Sequence, residues 1–408
     1  MLRPPGLAPV RAGAHIRVML WASAISNATD VAEAAGEAIE QVAARLGSRR
    51  PHVVFAFTTQ AFAAEHTSLQ ARVRAQWGEA LLFGCAASGV IGAGREIEEA
   101  GAVSITAAWL PNVRLIPTHV ESSALPPVYA ERVAWQTALN LHGVADPQFL
   151  VITDPFSFDT EEFLRGLDRA FPASPKIGGL ASGGRQAGSS VLYLGDRIHR
   201  SGAIVLALSG DVRIDSIVAQ GCRPIGDPMF VTNCHGNLLR ELDGKVPRDV
   251  LSELYDRLNQ RDQTLLGRAL FVGLAMPGER PSIQAGEFLI RNVLGMDPQS
   301  GAIWVGAELS PNSIVQFHVR DALSSAQDLE HALLGFESAG KPAAALLFSC
   351  VGRGVGLYGS ADHDSTALKR RLGELPIGGF FCSGEIGAVQ GMTQVHGYTS
   401  AIAIISKL

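Results

Sequence analysis

Charge is scarce in this chain. Only 18% of its 408 residues are Asp, Glu, Lys or Arg, and the net charge is −5. The densest basic groups are Arg49-Arg50 and Lys369-Arg370-Arg371. Both are too short for a nucleic-acid or anionic-membrane surface, and both sit where cations complement the end of a helix. Cysteine is also sparse. Cys85, Cys222, Cys234, Cys350 and Cys382 are odd in number and have no framework spacing, which favours a reducing, cytoplasmic compartment. No segment reaches the roughly 18 consecutive apolar residues of a membrane span. The N-terminal stretch has no uninterrupted apolar core for a signal peptide, because Arg11, His15 and Arg17 break it. Metal spacing is absent too: Cys234-His235 has no second pair, and Asp362-His363-Asp364 reads as a solvated loop. Ser88, Ser182 and Ser383 lack the glycine two residues earlier that a nucleophile elbow needs. Gly354 to Gly359 satisfies G-x-G-x-x-G after a strand, but the next helix signal is Ser365 or Thr366. A dinucleotide site requires the helix to start within the glycines, so a mobile glycine loop is expected there. Nothing calls for a cofactor.

What the chain does have is apolar content, 47%, and 44 glycines without a collagen-like period. It also repeats itself three times. An apolar run, a helix-like stretch, a Gly/Ser turn and a second apolar run recur in that order. The first copy is VVFAF from Val53, the turn GCAASG from Gly84 and AVSITAAWL from Ala102. The second is FLVIT from Phe149, GGLASG from Gly178 and AIVLAL from Ala203. The third is AAALLFS from Ala343, GGFFCSG from Gly378 and AIAIIS from Ala401. A period with strands inside it implies a duplicated α/β scaffold. The runs are mostly continuous rather than alternating, so the sheets should be covered by helices in layers. Asp30 with Glu33, and Asp159 with Glu162, are capping-box signals for two helices. Further helices are expected at 250–258, 326–336 and 366–372. The turn-rich GCRPIGDP from Gly221 marks a crossover, and two domains are expected, 15–218 and 219–408. Hairpin-like sequence follows from Met229, and two strands are joined by a turn from Asp297 to Gly301.

These segments carry a resemblance. GCRPIG with VT and LDG downstream, RNVLGMD with GAI, LFSCVGR and IGGFFCSGEIG resemble the FIST family of intracellular sensory proteins. GCAASGVIG and GGLASGG are similar to the family's N-terminal half. The resemblance runs from about residue 15 to the C-terminus, with the motifs in the expected order. It implies FIST N-terminal and C-terminal domains that sense small ligands, amino acids among them. Two departures matter. Nothing before residue 50 resembles the F-box of eukaryotic members, and no fused kinase, cyclase or chemoreceptor domain is seen. Signalling output is therefore expected to pass to a separate protein.

The sharpest chemical cluster lies in the third copy. Cys350 and Arg353 follow its first strand, and Ser383, Gly384 and Glu385 follow its turn. Loops at strand ends form ligand crevices in α/β sheets. Arg353 can hold a carboxylate through a bidentate fork and Glu385 can accept from an ammonium group, a pairing suited to an amino acid. Pairing of Arg353 with Glu385 is the structural alternative. Cys350 is the candidate reactive thiol, since a cation three residues away lowers a thiol's pKa; burial as a small apolar filler is the alternative. Cys85 and Ser88 in the first turn, and Arg291 and Asn292 on a later strand, complete the expected ligand-binding set. The leading reading is a ligand-binding sensory protein acting on a polar metabolite. The alternatives are a hydrolase or transferase using Cys350, and a protein-interaction scaffold.

Overall fold

The computed structural model describes residues 18–62, 65–276 and 288–408; the N-terminal stretch with Arg11, His15 and Arg17 lies outside them. The two capping signals do form helix starts. Asp30 accepts from the Glu33 amide at 2.8 Å ahead of helix Val31–Leu46, and Asp159 accepts from the Glu162 amide at 2.9 Å ahead of helix Thr160–Ala170. Each satisfies an otherwise orphaned amide. The first helix buries Val31, Ala35, Ala38, Val42 and Leu46 on one face. The later helices span Pro247–Arg257, Ala322–Leu334 and His363–Leu372. One helix, His66–Trp77, carries no sequence signal, because Glu65 makes no side-chain cap.

The three copies build an α/β body of three like units. In the first, strands Leu20–Ser26, Val103–Trp109, Val53–Thr59 and Leu81–Ala87 lie side by side in that order. The second unit repeats it with Val113–Val120, Ala203–Gly210, Gln148–Thr153 and Lys176–Leu180. The third uses Arg213–Ala219, Ser400–Ser406, Pro342–Cys350 and Ile377–Cys382. In each, the last two strands pair in parallel and the others antiparallel. No unit finishes its own sheet. Hairpin Leu192–Leu194/Arg197–His199 of the second unit completes the first sheet, Glu385–Val389/Met392–His396 of the third completes the second, and Val90–Gly92/Arg95–Ile97 of the first completes the third. The exchange is cyclic and gives the body a pseudo-threefold arrangement.

The inner faces share one apolar core, to which Phe55, Phe83, Leu150, Leu206, Leu346, Phe380 and Ile405 contribute from all three units. The outer faces are covered by helices, Val31–Leu46 and His66–Trp77 on the first sheet and Thr160–Ala170 on the second. Burial on both faces explains the continuous apolar runs. Inserted after Ala219 is a closed barrel of strands Cys222–His235, Leu238–Leu242, Ile303–Val305, Phe288–Met296, Leu270–Ala275 and Ile314–Arg320. Its strands are half-exposed, so that Trp304 is 38% exposed between buried Ile303 and Val305. The turn from Asp297 to Gly301 joins two of these strands, closed by an Asp297 amide bond to the Ala302 carbonyl at 2.8 Å.

One position recurs in all three units. A Cβ on Gly84, Gly178 or Gly379 would lie 1.8 Å from the carbonyl oxygen of Ala56, Val151 or Leu347 on the neighbouring parallel strand. That contact is backbone against backbone, so neither side can yield. Alanine at any of the three should destabilise the protein by on the order of 3 kcal/mol or more. Urea unfolding of the three variants measures it; native-like stability in any one would refute the equivalence of the turns.

Candidate functional site

The three Gly/Ser turns meet at one point. The Ser88 amide donates to Ser182 Oγ at 2.9 Å, and the two hydroxyls lie 3.2 Å apart. Ser182 Oγ donates to the Phe381 carbonyl. Backbone bonds lace the same turns together: Ser383 N to Leu180 O at 3.0 Å, Leu180 N to Gly384 O at 2.8 Å and Phe381 N to Gly89 O at 3.0 Å. The parallel strands of all three units thus point their C-terminal ends at a common place, the position of ligand crevices in α/β sheets. Ser383 is exposed there, Ser88 and Ser182 are half-buried and Gly384 is buried.

Beside this point the third unit holds a buried polar network. Arg353 is fully buried and grips Asp364 through Nε at 2.8 Å and Nη2 at 3.1 Å. His363 Nδ1 lies 3.0 Å from the same carboxylate, Ser349 Oγ donates to it at 3.1 Å, and Ser400 Oγ donates to it as well. Burial alone would push the Asp364 carboxyl up. The Arg353 charge and the hydrogen bonds from His363, Arg353 and Ser400 outweigh it and hold Asp364 well below the usual carboxylate range. The bidentate fork expected for a ligand is therefore spent inside the protein, on Asp364 and not on Glu385. Only Arg353 Nη1 has no acceptor among the described residues.

Glu385, also fully buried, accepts from the Thr399 amide at 3.1 Å and the Thr399 hydroxyl at 2.8 Å, both at Oε2. Its Oε1 meets no N–H or O–H; the Cys350 thiol lies against the carboxyl. Burial pushes the Glu385 pKa up to about 8 despite Thr399 and the Arg353 charge. Cys350 is 6% exposed, and burial, then the Glu385 charge, push its thiol up to about 12. This corrects the expectation of an activated thiolate. Arg320 lowers the thiol too little to offset this, and the Arg353 charge is engaged by Asp364.

The remaining expected residues fall in three places. Cys85 is fully buried in the central core, facing inward from strand Leu81–Ala87. Arg291 leaves the barrel to pair with Glu161 at 3.0 Å and to reach the Val395 carbonyl at 3.4 Å, tying the barrel to the second and third units. Asn292 accepts from the Tyr398 hydroxyl. The loop expected at Gly354 is instead a five-residue helical turn, Gly354–Tyr358. Its Val355 amide is taken by Glu98 Oε1 at 2.8 Å, which sets a carboxylate where a phosphate would sit. Asp362-His363-Asp364 is the start of a helix rather than a solvated loop, and no group of three metal-ligating residues occurs among the described residues.

Two residues at this place gave no signal in the sequence. Arg320 ends the last barrel strand, donates to the Gly352 carbonyl and lies over the Tyr398 ring at 4.8 Å. Tyr398 adopts φ +66°, and its ring meets Phe271 of the barrel at 4.4 Å between centroids. Together they dock the barrel onto the strand ends of the third unit.

Body, barrel and buried polar network define a class: a three-unit α/β protein with a β-barrel joined at its strand ends. Family models match the FIST N domain at residues 52–245 and the FIST C domain at 248–388, and the chain belongs to the FIST family. FIST domains are sensory domains that bind small ligands in signal transduction. An uncharacterized protein of Mycobacterium tuberculosis is 34% identical over 388 residues, 93% of this chain and 98% of that one. An uncharacterized protein of Mycobacterium bovis is 31% identical over 385 residues, 93% and 97% of the two chains. The solved cyanuric acid hydrolase of A. caulinodans shares a TM-score of 0.35 and 10% identity, over 95% of this chain and 99% of that chain, a likeness too loose to carry an argument. No helix among the described residues is long and apolar enough to cross a membrane.

The burial of these groups has two measurable outcomes. Limiting iodoacetamide should label half-buried Cys234 before Cys350, Cys85 and Cys382, since only thiolate reacts and all three lie buried with their pKa values raised. Mass-spectrometric mapping that found Cys350 first would overturn the structural assignment. The second outcome concerns pH. Glu385, near 8, and Glu96, raised by burial and the Asp364 charge to about 7, bind protons more tightly folded than unfolded. Their contribution is full below the ordinary carboxylate pKa and is lost as pH rises through 7 and 8. His66, His318 and His396, lowered by burial to about 4, act oppositely and cost stability as pH falls below 6.5. Wild-type Tm should therefore fall between pH 6.5 and 8.5, and Glu385→Gln should flatten that fall. An unchanged slope in the variant would refute it.

Proposed function

We propose that this chain is a cytoplasmic sensory protein that binds a small polar metabolite, an amino acid the leading class, and passes occupancy to a separate signalling protein. The site we assign lies at the strand ends of the third unit, where the barrel joins it. One observation carries this reading: two fully buried side chains there each keep a polar atom unmet by nitrogen or oxygen, Arg353 Nη1 without an acceptor and Glu385 Oε1 with only the weak Cys350 thiol donor. An unmet buried polar atom costs about 1–3 kcal/mol, so such atoms occur where a ligand or water completes them. Arg353 Nη1 asks for an acceptor and Glu385 Oε1 for a donor, which a zwitterion offers together. Ser383, exposed beside Glu385, and Ser88 extend the polar lining toward the meeting point of the turns.

Less supports the hydrolase reading. Its nucleophile is held as a neutral thiol, and neither available histidine serves it: His363 is bound to Asp364, and His396 faces the Gly387 carbonyl at 3.0 Å. A cysteine acts as a nucleophile through its thiolate, which needs a cation or base beside it.

Glu385 supplies the test. An ammonium group favours the ionised carboxylate, so binding should expel the proton that Glu385 carries below about pH 8. Affinity for the cognate amino acid, measured by calorimetry, should rise between pH 6.5 and 8.5 and be weaker and flat in Glu385→Gln. The screen that finds it is thermal shift, where ligand at 100 times Kd adds about 2.7 kcal/mol. If no amino acid or related zwitterion stabilises the protein, the reading fails.

A further inference from the structure

Arg320 is a half-buried cation with no counterion among the described residues. Nearby carboxylates are spent elsewhere. Asp321 takes Arg261 at 2.8 Å and Arg223 at 3.4 Å while capping helix Ala322–Leu334. Asp262 takes Arg223, and Asp364 takes Arg353. Arg320 makes do with the Gly352 carbonyl and the face of Tyr398, and its Nε is buried without an acceptor. Guanidinium groups left this way are costly, because a buried charge is stable only when paired and hydrogen-bonded.

Arg353 Nη1, the other unpartnered guanidinium nitrogen, belongs to the same place. Arg320 bonds the residue before Arg353, and both guanidinium groups act on the Cys222 thiol and on Tyr358. Gly221 brings no Cβ to Arg353 Nη1, where one would lie 3.3 Å away, and a Cβ on Gly352 would lie 2.8 Å from Arg320 Nη1.

We propose that Arg320 Nε and Arg353 Nη1 together hold one carboxylate group of a small ligand across the joint between the barrel and the third unit. The proposal rests on the ligand-binding reading and adds a second arginine and a place for the anionic end. Charge decides the class. Arg353 is paired with Asp364 and also lies in reach of the Asp328 and Glu385 carboxyls, so Arg320 is the cation here left without a salt-bridge partner. A monoanion matches it, whereas a phosphate dianion would bury excess negative charge beside Asp364 and Glu385. Two nitrogens from two side chains also suit the two oxygens of a carboxylate.

The test uses the full chain with acetate, L-alanine and inorganic phosphate at millimolar concentration as probes, in wild type, Arg320→Gln and Arg320→Lys. Calorimetry reads affinity, and hydrogen exchange reads the Gly352 and Arg353 amides. The expected result is binding of the carboxylates and not phosphate, weakened on the order of tenfold or more in Arg320→Gln, with protection of those amides. Arg320→Lys keeps the charge without the Nε donor, so it should lie between the two and guards against misfolding of the Gln variant. Carboxylate affinity equal in all three proteins, phosphate in place of carboxylate, or no binding overturns the proposal. Acetate binding that depends on Arg320 while no amino acid binds keeps this inference and sinks the amino-acid reading. Amino-acid binding indifferent to Arg320 does the reverse.

Discussion

Each sheet of the body is closed by a hairpin from another unit, and the rest of the architecture depends on that exchange. Strand Leu192–Leu194 pairs with Cys85, Gly84 and Phe83, while Glu385 and Ile386 pair with Gly179 and Gly178. To reach the neighbouring sheet, each chain segment must leave its own parallel strand by a tight turn at the centre of the body. Three such turns have to pack together there, which selects glycine and serine. The same exchange removes three exposed sheet edges, since an unpaired inner strand would offer its amides to another molecule. It also makes the units interdependent, because none has a complete sheet alone.

The hairpin traffic carries chemistry with it. Glu96, on the hairpin that the first unit lends to the third, accepts from the Ser365 amide and hydroxyl at 2.7 Å each. That sets a second carboxyl beside Asp364, and burial with the Asp364 charge keeps Glu96 protonated to about pH 7. The network around Arg353 is not explained by stability alone. A buried ion pair gains little over apolar packing of the same volume, while losing one partner costs about 3–5 kcal/mol. Asp364 fixes the Arg353 guanidinium in place, so that its one remaining nitrogen is aimed in advance, as the proposed ligand site requires.

Periodicity and capping made the body legible. Six continuous apolar runs and the Asp30 and Asp159 caps were enough for two strands of each unit, the repeat and two helices; the stretches expected as Gly/Ser turns begin as parallel strands, and Leu20–Ser26 and Val113–Val120 gave no strand signal. The exchange of hairpins was not readable, since Val90–Gly92 and Leu192–Leu194 are three-residue strands whose partners lie in other units. The barrel gave up its hairpins but not its closure, because alternation specifies a half-exposed strand and says nothing of how the last strand meets the first. At the site, the loops bearing Cys350, Arg353 and Glu385 were visible because they follow strand ends. Their electrostatics were not. Sequence proximity suggested that Arg353 would activate Cys350, whereas Asp364, eleven residues on, engages the guanidinium and the Glu385 charge acts on the thiol instead. Arg320 lies 30 residues before Cys350 with a helix between, so only tertiary folding brings it to the crevice.

The barrel's attachment suggests how occupancy becomes a signal. The chain enters the barrel through Gly221 and Cys222 and leaves it through Arg320, and Cys222 pairs directly opposite Arg320. Both connections therefore cross the joint side by side, next to the Gly352 carbonyl and the Tyr398 ring. Elsewhere the barrel touches the body through Arg291 on Glu161, Asn292 on Tyr398 and a small apolar cluster of Phe271, Phe288 and Ile290 with Tyr398. Such an interface is held more weakly than the shared core of the three units, so its geometry is the one most readily biased by a bound molecule. A ligand that binds one arrangement of the joint better than another shifts the population by its differential affinity, and no longer-range path through the body is needed.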